Sequence, residues 1–567
     1  MSLLSSMSIA AGSIQADDIA LQVTGQNIAN ANTPGYLREQ AILTPSTPQQ
    51  IGTLELGTGV RVQSIQQVVN QFLEQQVRSA MSDASNTQTQ ASAYTNLETT
   101  MNSLNTGSTN SLLTSFFSSI SNVLNQPGDV STQELAVLQG STLTQNINQL
   151  AGNVASMRSD LNNQVVGMAG QINTLVSQIA QLNQQIEGTG TGSSGSSPVG
   201  LSDQQNQDLQ SLSQLINIST ARQADGTVNV YCGGEYLVYG GTTRSVEAVL
   251  DGGTSGDGVN PATIEFSDTH STLDATSGQL AGLMTARDQV LGGFETQLNS
   301  FASTLANEFN KIYSSGQGTT GYTTITSLNS VNSPSQSLAA TGLPLSPTSG
   351  SFNIMVQNTA TGQTNTSQIN ISLTGTGNDT TLNDVAAQIN TVSGLSASIN
   401  RQGQLTIATT GANEQFAFAQ DSSGTLAALG INTFFTGSMA ADLGVNSAVV
   451  NDPTKFAASS GGIGTDTQNA QTLAAFATQP LADQNGNTVS GIYSELLGNV
   501  TEASSVAQSQ STAAQSYQST LQGQETSTSG VSIDQETINM LNYQESYTAS
   551  AKFISTINQL LQVLVSL

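Results

Sequence analysis

Leu143, Ile147, Leu150, Val154, Met157, Leu161, Val165, Met168, Ile172, Leu175, Ile179, Leu182 and Ile186 step through the chain by threes and fours without a miss. Only a long α-helix brings such a row onto one face, because a helix repeats every 3.6 residues. At 1.5 Å per residue the row predicts a rod of about 66 Å. The consecutive fours at Met157, Leu161 and Val165 form a stutter, which locally unwinds a supercoil. The outer face reads Gln, Asn and Ser, with few ion pairs to set partner choice.

The same stepping marks both ends of the chain. Near the start, positions 4, 7, 11, 14, 18, 21, 25 and 28 form one row, in which Leu4, Met7, Ala11, Ile14, Leu21 and Ile28 are apolar. Near the end, Met540, Tyr543, Tyr547, Ser550, Ile554, Ile557, Leu561 and Leu564 form another, opened by Ser532 as N-cap with Gln535 three residues on. Both seams are narrow, as in a coiled coil. A lone helix with such a seam is marginal in water, so each end needs a partner. The simplest partner is the other end, followed by neighbouring copies of the same pair.

Further helices are expected from Gln279 to Tyr313 and over Leu496–Leu521. Between them the period changes. "TVNVYCGGEYLVYGG" predicts a hairpin turning at Gly233-Gly234. From about 320 to 460 the chain is Thr/Ser/Gly-rich. The segments "FNIMVQ", "INISL", "QLTIAT" and "EQFAFA" read as strands and "TLNDVAAQINT" as a short helix, an α+β arrangement. "GTGTGSSGSSPVG", 188–200, reads as a flexible break.

Charge narrows the partners. Acids outnumber bases 38 to 11, for a net charge of −27, which opposes nucleic acid and anionic membrane surfaces. No apolar run is long enough to span a bilayer. The N-terminus lacks the basic start and apolar core of a cleaved signal peptide. Yet one cysteine, low charge and Thr/Ser richness suit an extracellular protein.

Enzyme chemistry, cofactors and metals find little support. One histidine, His270, cannot make a zinc triad, and it lies in a polar loop. Cys232 has no basic neighbour and reads as a packed strand thiol. The segment from Asp483 mimics a calcium loop only at its start, with Thr488 and Ser494 where Gly and Glu belong. Asp17 and Asp18 read as a solvated helix face.

Thr33-Pro34-Gly35-Tyr36 fits a type II turn, with Gly35 accepting the positive φ. Around it, "ALQVTGQNIANANTPGY" resembles the N-terminal signature of bacterial flagellar axial proteins: rod, hook and hook-associated. "SGVSIDQETINMLNYQESYTASAKFISTINQLLQVL" is similar to the matching C-terminal end. The segment 278–313 and "DGTVNVYCGGEYLVYG" are similar to the hook-associated members at the hook–filament junction. The resemblance makes Asn27, Asn30, Asn32, Thr33, Pro34, Gly35 and Tyr36 the motif turn, redirecting the chain towards the next layer. Asn side chains would bond backbone groups left open there.

The resemblance implies a structural component that joins hook to filament by self-assembly through its terminal helices. It implies export through the flagellar type III apparatus and an extracellular location. The partners implied are further copies in a tubular lattice, hook protein, the next junction protein on the filament side, and a cytoplasmic export chaperone at the C-terminal helix. It also implies terminal helices that order only on assembly. The alternatives are hook protein or another axial protein, or an adhesin with a helical stalk.

The expected fold is mainly α with an inserted α+β domain, in an elongated multi-domain subunit whose paired terminal helices form a coiled-coil-like inner domain. The expected divisions are 1–60 plus 528–567 for the terminal helices, 61–320 plus 460–527 for a long-helix bundle with a hairpin near 226–250, and 321–459 for the insert.

Overall fold

A computed structural model describes the chain except residues 1–2, 34, 52–53, 104–107, 190–198, 251, 253–259, 465 and 567. Pro34 and most of the Gly/Ser segment 188–200 therefore lie outside the described residues. In chain order the helices are α1 (Leu3–Ala29), α2 (Gln71–Ser103), α3 (Thr109–Asn125), α4 (Val130–Gly188), α5 (Val199–Leu215), α6 (Gly278–Thr285) and α7 (Gly292–Tyr313). Then follow α8 (Leu382–Ile389), α9 (Thr425–Leu429), α10 (Ser447–Asn451), α11 (Gln468–Ala475), α12 (Val489–Ser529) and α13 (Ile533–Ser566). The chain divides into two compact units, 1–93 with 159–288 and 505–567, and 94–158 with 289–504.

In the first unit, a two-stranded arm leads out of α1. Glu39–Pro45 pairs antiparallel with Val60–Gln67, with a bulge between Ile42 and Leu43. A four-stranded antiparallel sheet holds the hairpin, in which Cys232 pairs with Glu235 across Gly233-Gly234. Both turn glycines have positive φ, 57° and 86°, which a side chain disfavours. Val165, Met168, Ile172, Val176 and Ile179 of α4 pack on Val228, Val230, Leu237 and Val238 of this sheet.

Residue types long read as solvated turn out to hold this core. Asn162, Asn173 and Asn183 of α4 each bond the backbone of a strand. Asn173 donates to Val246 O at 2.7 Å and accepts from Val246 N at 2.8 Å. Asn183 does the same with Val228, both at 2.9 Å. Asn162 accepts from Ala262 N at 2.7 Å. These carboxamides satisfy strand groups that no neighbouring strand reaches.

The helix expected over 279–313 is not continuous. A π-helical segment, Ala286–Leu291, separates α6 from α7. The wider turn lets Ala286, Arg287, Val290 and Leu291 all be buried. Arg287 donates to Ala262 O at 2.7 Å and to Asn162 Oδ1 at 2.8 Å. A buried guanidinium needs such partners.

In the second unit, the stretch 320–460 forms two three-stranded sheets. In one, Gly350–Asn358 lies between Thr364–Ile371 and Glu414–Ala419. In the other, Leu405–Thr409 lies between Thr324–Thr326 and Leu395–Ile399. Helix α8 opens with a capping box between Thr381 and Asp384. Phe116, Phe309, Phe434 and Phe435 meet in an aromatic cluster with centroids 4.9–5.6 Å apart.

Candidate assembly site at the paired terminal helices

Helices α1 and α13 pack against each other, and two contacts give their direction. Ser550 Oγ lies 3.2 Å from Ser13 Oγ, and Asn27 Nδ2 lies 3.1 Å from Glu536 Oε2. Fourteen residues up one helix correspond to fourteen down the other, so the pair is antiparallel.

The C-terminal row faces this contact. Ile557 is 3% exposed, and Met540, Tyr543, Ile554 and Leu561 are half-buried. Tyr547 and Leu564 of the same row are exposed. The N-terminal row lies elsewhere than its stepping suggests. Leu4 and Ala11 are exposed, and Met7, Ile14, Leu21 and Ile28 are half-buried. The buried positions are Ala10, Ala16, Asp17, Ala20, Val23, Thr24 and Asn27, about one residue back. The reason is that α1 has two partners, α13 and the arm. Small residues let it approach both. A Cβ at Gly12 would stand 3.3 Å from Val60 O, and one at Gly59 would stand 3.3 Å from Ile9. Asp17 is buried, not solvated, while Asp18 is exposed and accepts from Gln22 at 3.2 Å.

Helix α13 keeps further apolar side chains that no described residue covers. Ile538, Leu541, Phe553, Leu560 and Val563 are all at least half exposed. Leu4 of α1 is also exposed, at 67%. Exposed apolar side chains gathered on one side of a helix mark an interaction surface.

The motif turn forms the root of the pair. Tyr36 N donates to Thr33 O at 3.2 Å and Gly35 has φ 76°, as a type II turn requires. Asn30 Nδ2 donates to Gln26 O at 3.1 Å, and Thr33 Oγ1 donates to Asn30 Oδ1 at 3.2 Å. Asn32 is exposed. Asn27 is fully buried and is the hub. It donates to Glu39 O at 2.8 Å and accepts from Glu39 N and from Tyr36 OH, both at 3.0 Å. Glu536, 2% exposed, also accepts from Arg38 Nε at 2.8 Å. Arg38 N donates to Ser529 O at 2.9 Å, which fixes the entry to α13. Arg38, Glu39 and Glu536 carry no periodic signal. Only the neighbouring motif points to them.

The other polar positions singled out from the sequence lie apart from this site. Cys232 is buried, and burial pushes its thiol up to about 12. His270 is exposed with φ 54°, its Nδ1 3.6 Å from Glu247. No helix among the described residues is long and apolar enough to cross a membrane.

Three family signatures fall along the chain. The family described as flagellar hook-associated protein FlgK helical domain matches residues 94–326. That described as flagella basal body rod protein matches 7–36, and flagellar basal body rod FlgEFG protein C-terminal matches 522–567. The last two coincide with α1 through the motif turn, and with α13. Flagellar hook-associated protein 1 of Escherichia coli (strain K12) is 26% identical over 98% of both chains. The protein of that name from Bacillus subtilis (strain 168) is 28% identical over 51% of this chain and 56% of its own. The solved flagellar hook junction protein FlgK from Burkholderia pseudomallei shares the fold, with a TM-score of 0.50 at 17% identity, over 80% of this chain and 100% of its own. Over 94–326 the chain matches the helical domain of the flagellar hook-associated protein FlgK family, and over nearly its whole length it is similar to flagellar hook-associated protein 1.

Proposed function

We propose that this chain is a structural protein of the bacterial flagellum that joins hook to filament, and that copies meet through the uncovered face of the terminal helix pair. It works in the extracellular flagellum, and its family is structural. The observation that carries the assembly reading is the set of bare apolar side chains on α13, from Ile538 to Val563, left uncovered after α1 has packed on the opposite face. Burying one large apolar side chain contributes about 1.5–3 kcal/mol, so the set offers on the order of 10 kcal/mol per copy. Part of that offsets the loss of freedom on association and the ordering of the helices. Before assembly the pair is held by its own contacts alone, and neighbours add the contribution of the bare side chains.

Residues 1–60 with 528–567 then act as the assembly domain, and 61–320 with 460–527 as the bundle that carries the insert 321–459. The chain's neighbours are further copies, hook protein on one side and the next junction protein on the other. Before export, a cytoplasmic chaperone would cover the bare apolar side chains of the C-terminal helix. No reaction is assigned.

A strain producing the chain without 533–567 tests this reading. The purified remainder is expected to fold, and cells are expected to carry hooks without filaments. Filaments of normal number and length would overturn it.

A further inference from the structure

The first unit of this acidic chain contains a basic cavity. It measures about 190 Å³ and is lined by Glu74, Gln75 and Arg78 of α2, Asn206 of α5, and Thr220 and Arg222 of the edge strand Ser219–Arg222. That is room for on the order of six water molecules, which suits a small ion and not a drug-sized ligand. Two arginines stand in the lining against one carboxylate, which leaves one positive charge where the whole chain carries −27. Glu525 also acts on Arg78, but it lines the adjoining cleft of about 440 Å³, and burial holds its carboxyl above the usual range.

Donors outnumber acceptors in this lining. Charged hydrogen bonds run at about 2.7–2.9 Å, and both arginines are held more loosely than that. Arg78 Nη1 stands 3.6 Å from Glu74, and its Nη2 donates to Thr220 Oγ1 at 3.0 Å. Arg222 Nη2 donates to Asn206 Oδ1 at 3.4 Å. A guanidinium can only donate, so this contact also fixes which side of the Asn206 carboxamide is oxygen. Arg78 Nε and Asn206 Nδ2 are buried, on residues 5% exposed, and neither has an acceptor among the described residues. Gln75 is already occupied, donating to Ile218 O at 3.0 Å and accepting from Thr220 Oγ1 at 3.4 Å.

We propose that this cavity binds one small monocarboxylate from solution. Its single charge matches the lining, and its two oxygens are the acceptors that the lining lacks. A flat carboxylate meets the edge of a guanidinium through two parallel bonds, which a spherical ion cannot do. Bound there, it bridges α2, α5 and the edge strand. Glu74, Arg78 and Asn206 line both this cavity and the cleft that the motif turn lines, so the ion braces the wall between them. The cavity lies within one unit of one chain, and its failure would leave the assembly reading untouched.

Hydrogen exchange on the full-length monomer in sodium acetate against sodium chloride, at equal ionic strength and about pH 7, tests this. A ligand that binds the closed form alone slows exchange in proportion to its concentration, by about threefold at twice its dissociation constant. Exchange over α5 and Ser219–Arg222 should slow in this way as acetate rises, while Gly350–Asn358 in the second unit does not respond. In Arg222→Gln the acetate effect should vanish. If that variant does not fold, Arg222→Lys, which keeps the charge but loses the fork, should weaken the effect. No difference between acetate and chloride, an equal slowing over Gly350–Asn358, or a full response in the variant would overturn the site. A cavity built for an acidic side chain of a neighbouring copy would give the first of these, a monomer that ignores acetate.

Discussion

Asn27 stands in for a strand residue. Its carboxamide bonds both backbone groups of Glu39 and also reaches Tyr36 and Glu536. Asn27→Ala would strand several buried polar groups at once, each costly to leave unmade. We expect it to lower the stability of the terminal pair by about 2–4 kcal/mol, read as lost amide protection over α1. The Asn27 partners lie 12 and 509 positions away, so no spacing reveals them. Only the family motif marked the residue. The strand-bonding asparagines of α4 were closer to legible. They sit at 162, 173 and 183, about three helical turns apart, yet Gln, Asn and Ser crowd the same helix. Polar type alone does not separate an inward carboxamide from a solvated one.

At the scale of elements, periodicity located the long helices because each buries one dominant face. It did less well where an element has two neighbours. Helix α1 serves both α13 and the arm, so its buried face follows small residues and not the bulky row. The arm strands, Glu39–Pro45 and Val60–Gln67, carry too few apolar residues to stand out. The π segment hides in a step of seven between Met284 and Leu291, which reads as two ordinary turns. Helix α13 allows its faces to be tested separately. Ile557→Glu places a charge against α1 and should cost about 2–4 kcal/mol in a urea titration. Leu541→Glu, on the bare face at a position 53% exposed, should change that titration by less than about 0.5 kcal/mol and still prevent filament formation. Equal effects of the two would mean that the faces are not distinct.

Across the whole molecule, charge shows where copies of so acidic a protein can meet. The net charge is −27, and Arg78, Arg158, Arg244 and Arg287 are buried in bonds within the chain. Approaching copies therefore repel over most of their surface. The outer part of the terminal pair is the exception. Residues 3–16 carry no charge, and between Ser546 and Ser566 the charged residue is Lys552. Apolar exposure and neutrality coincide there. This much was legible in the sequence, whereas the two-unit division was not. Its boundaries, at 93/94, 158/159, 288/289 and 504/505, fall within helical segments where composition does not change.

The chain offers a clean reporter for that surface, because Cys232 is buried and its thiol is held protonated. Leu560→Cys places a single reactive thiol on the bare face of α13, at a position 51% exposed. Labelling with a maleimide should be fast in the purified monomer and strongly suppressed in intact flagella. Equal labelling rates in the two states would contradict assembly through this face.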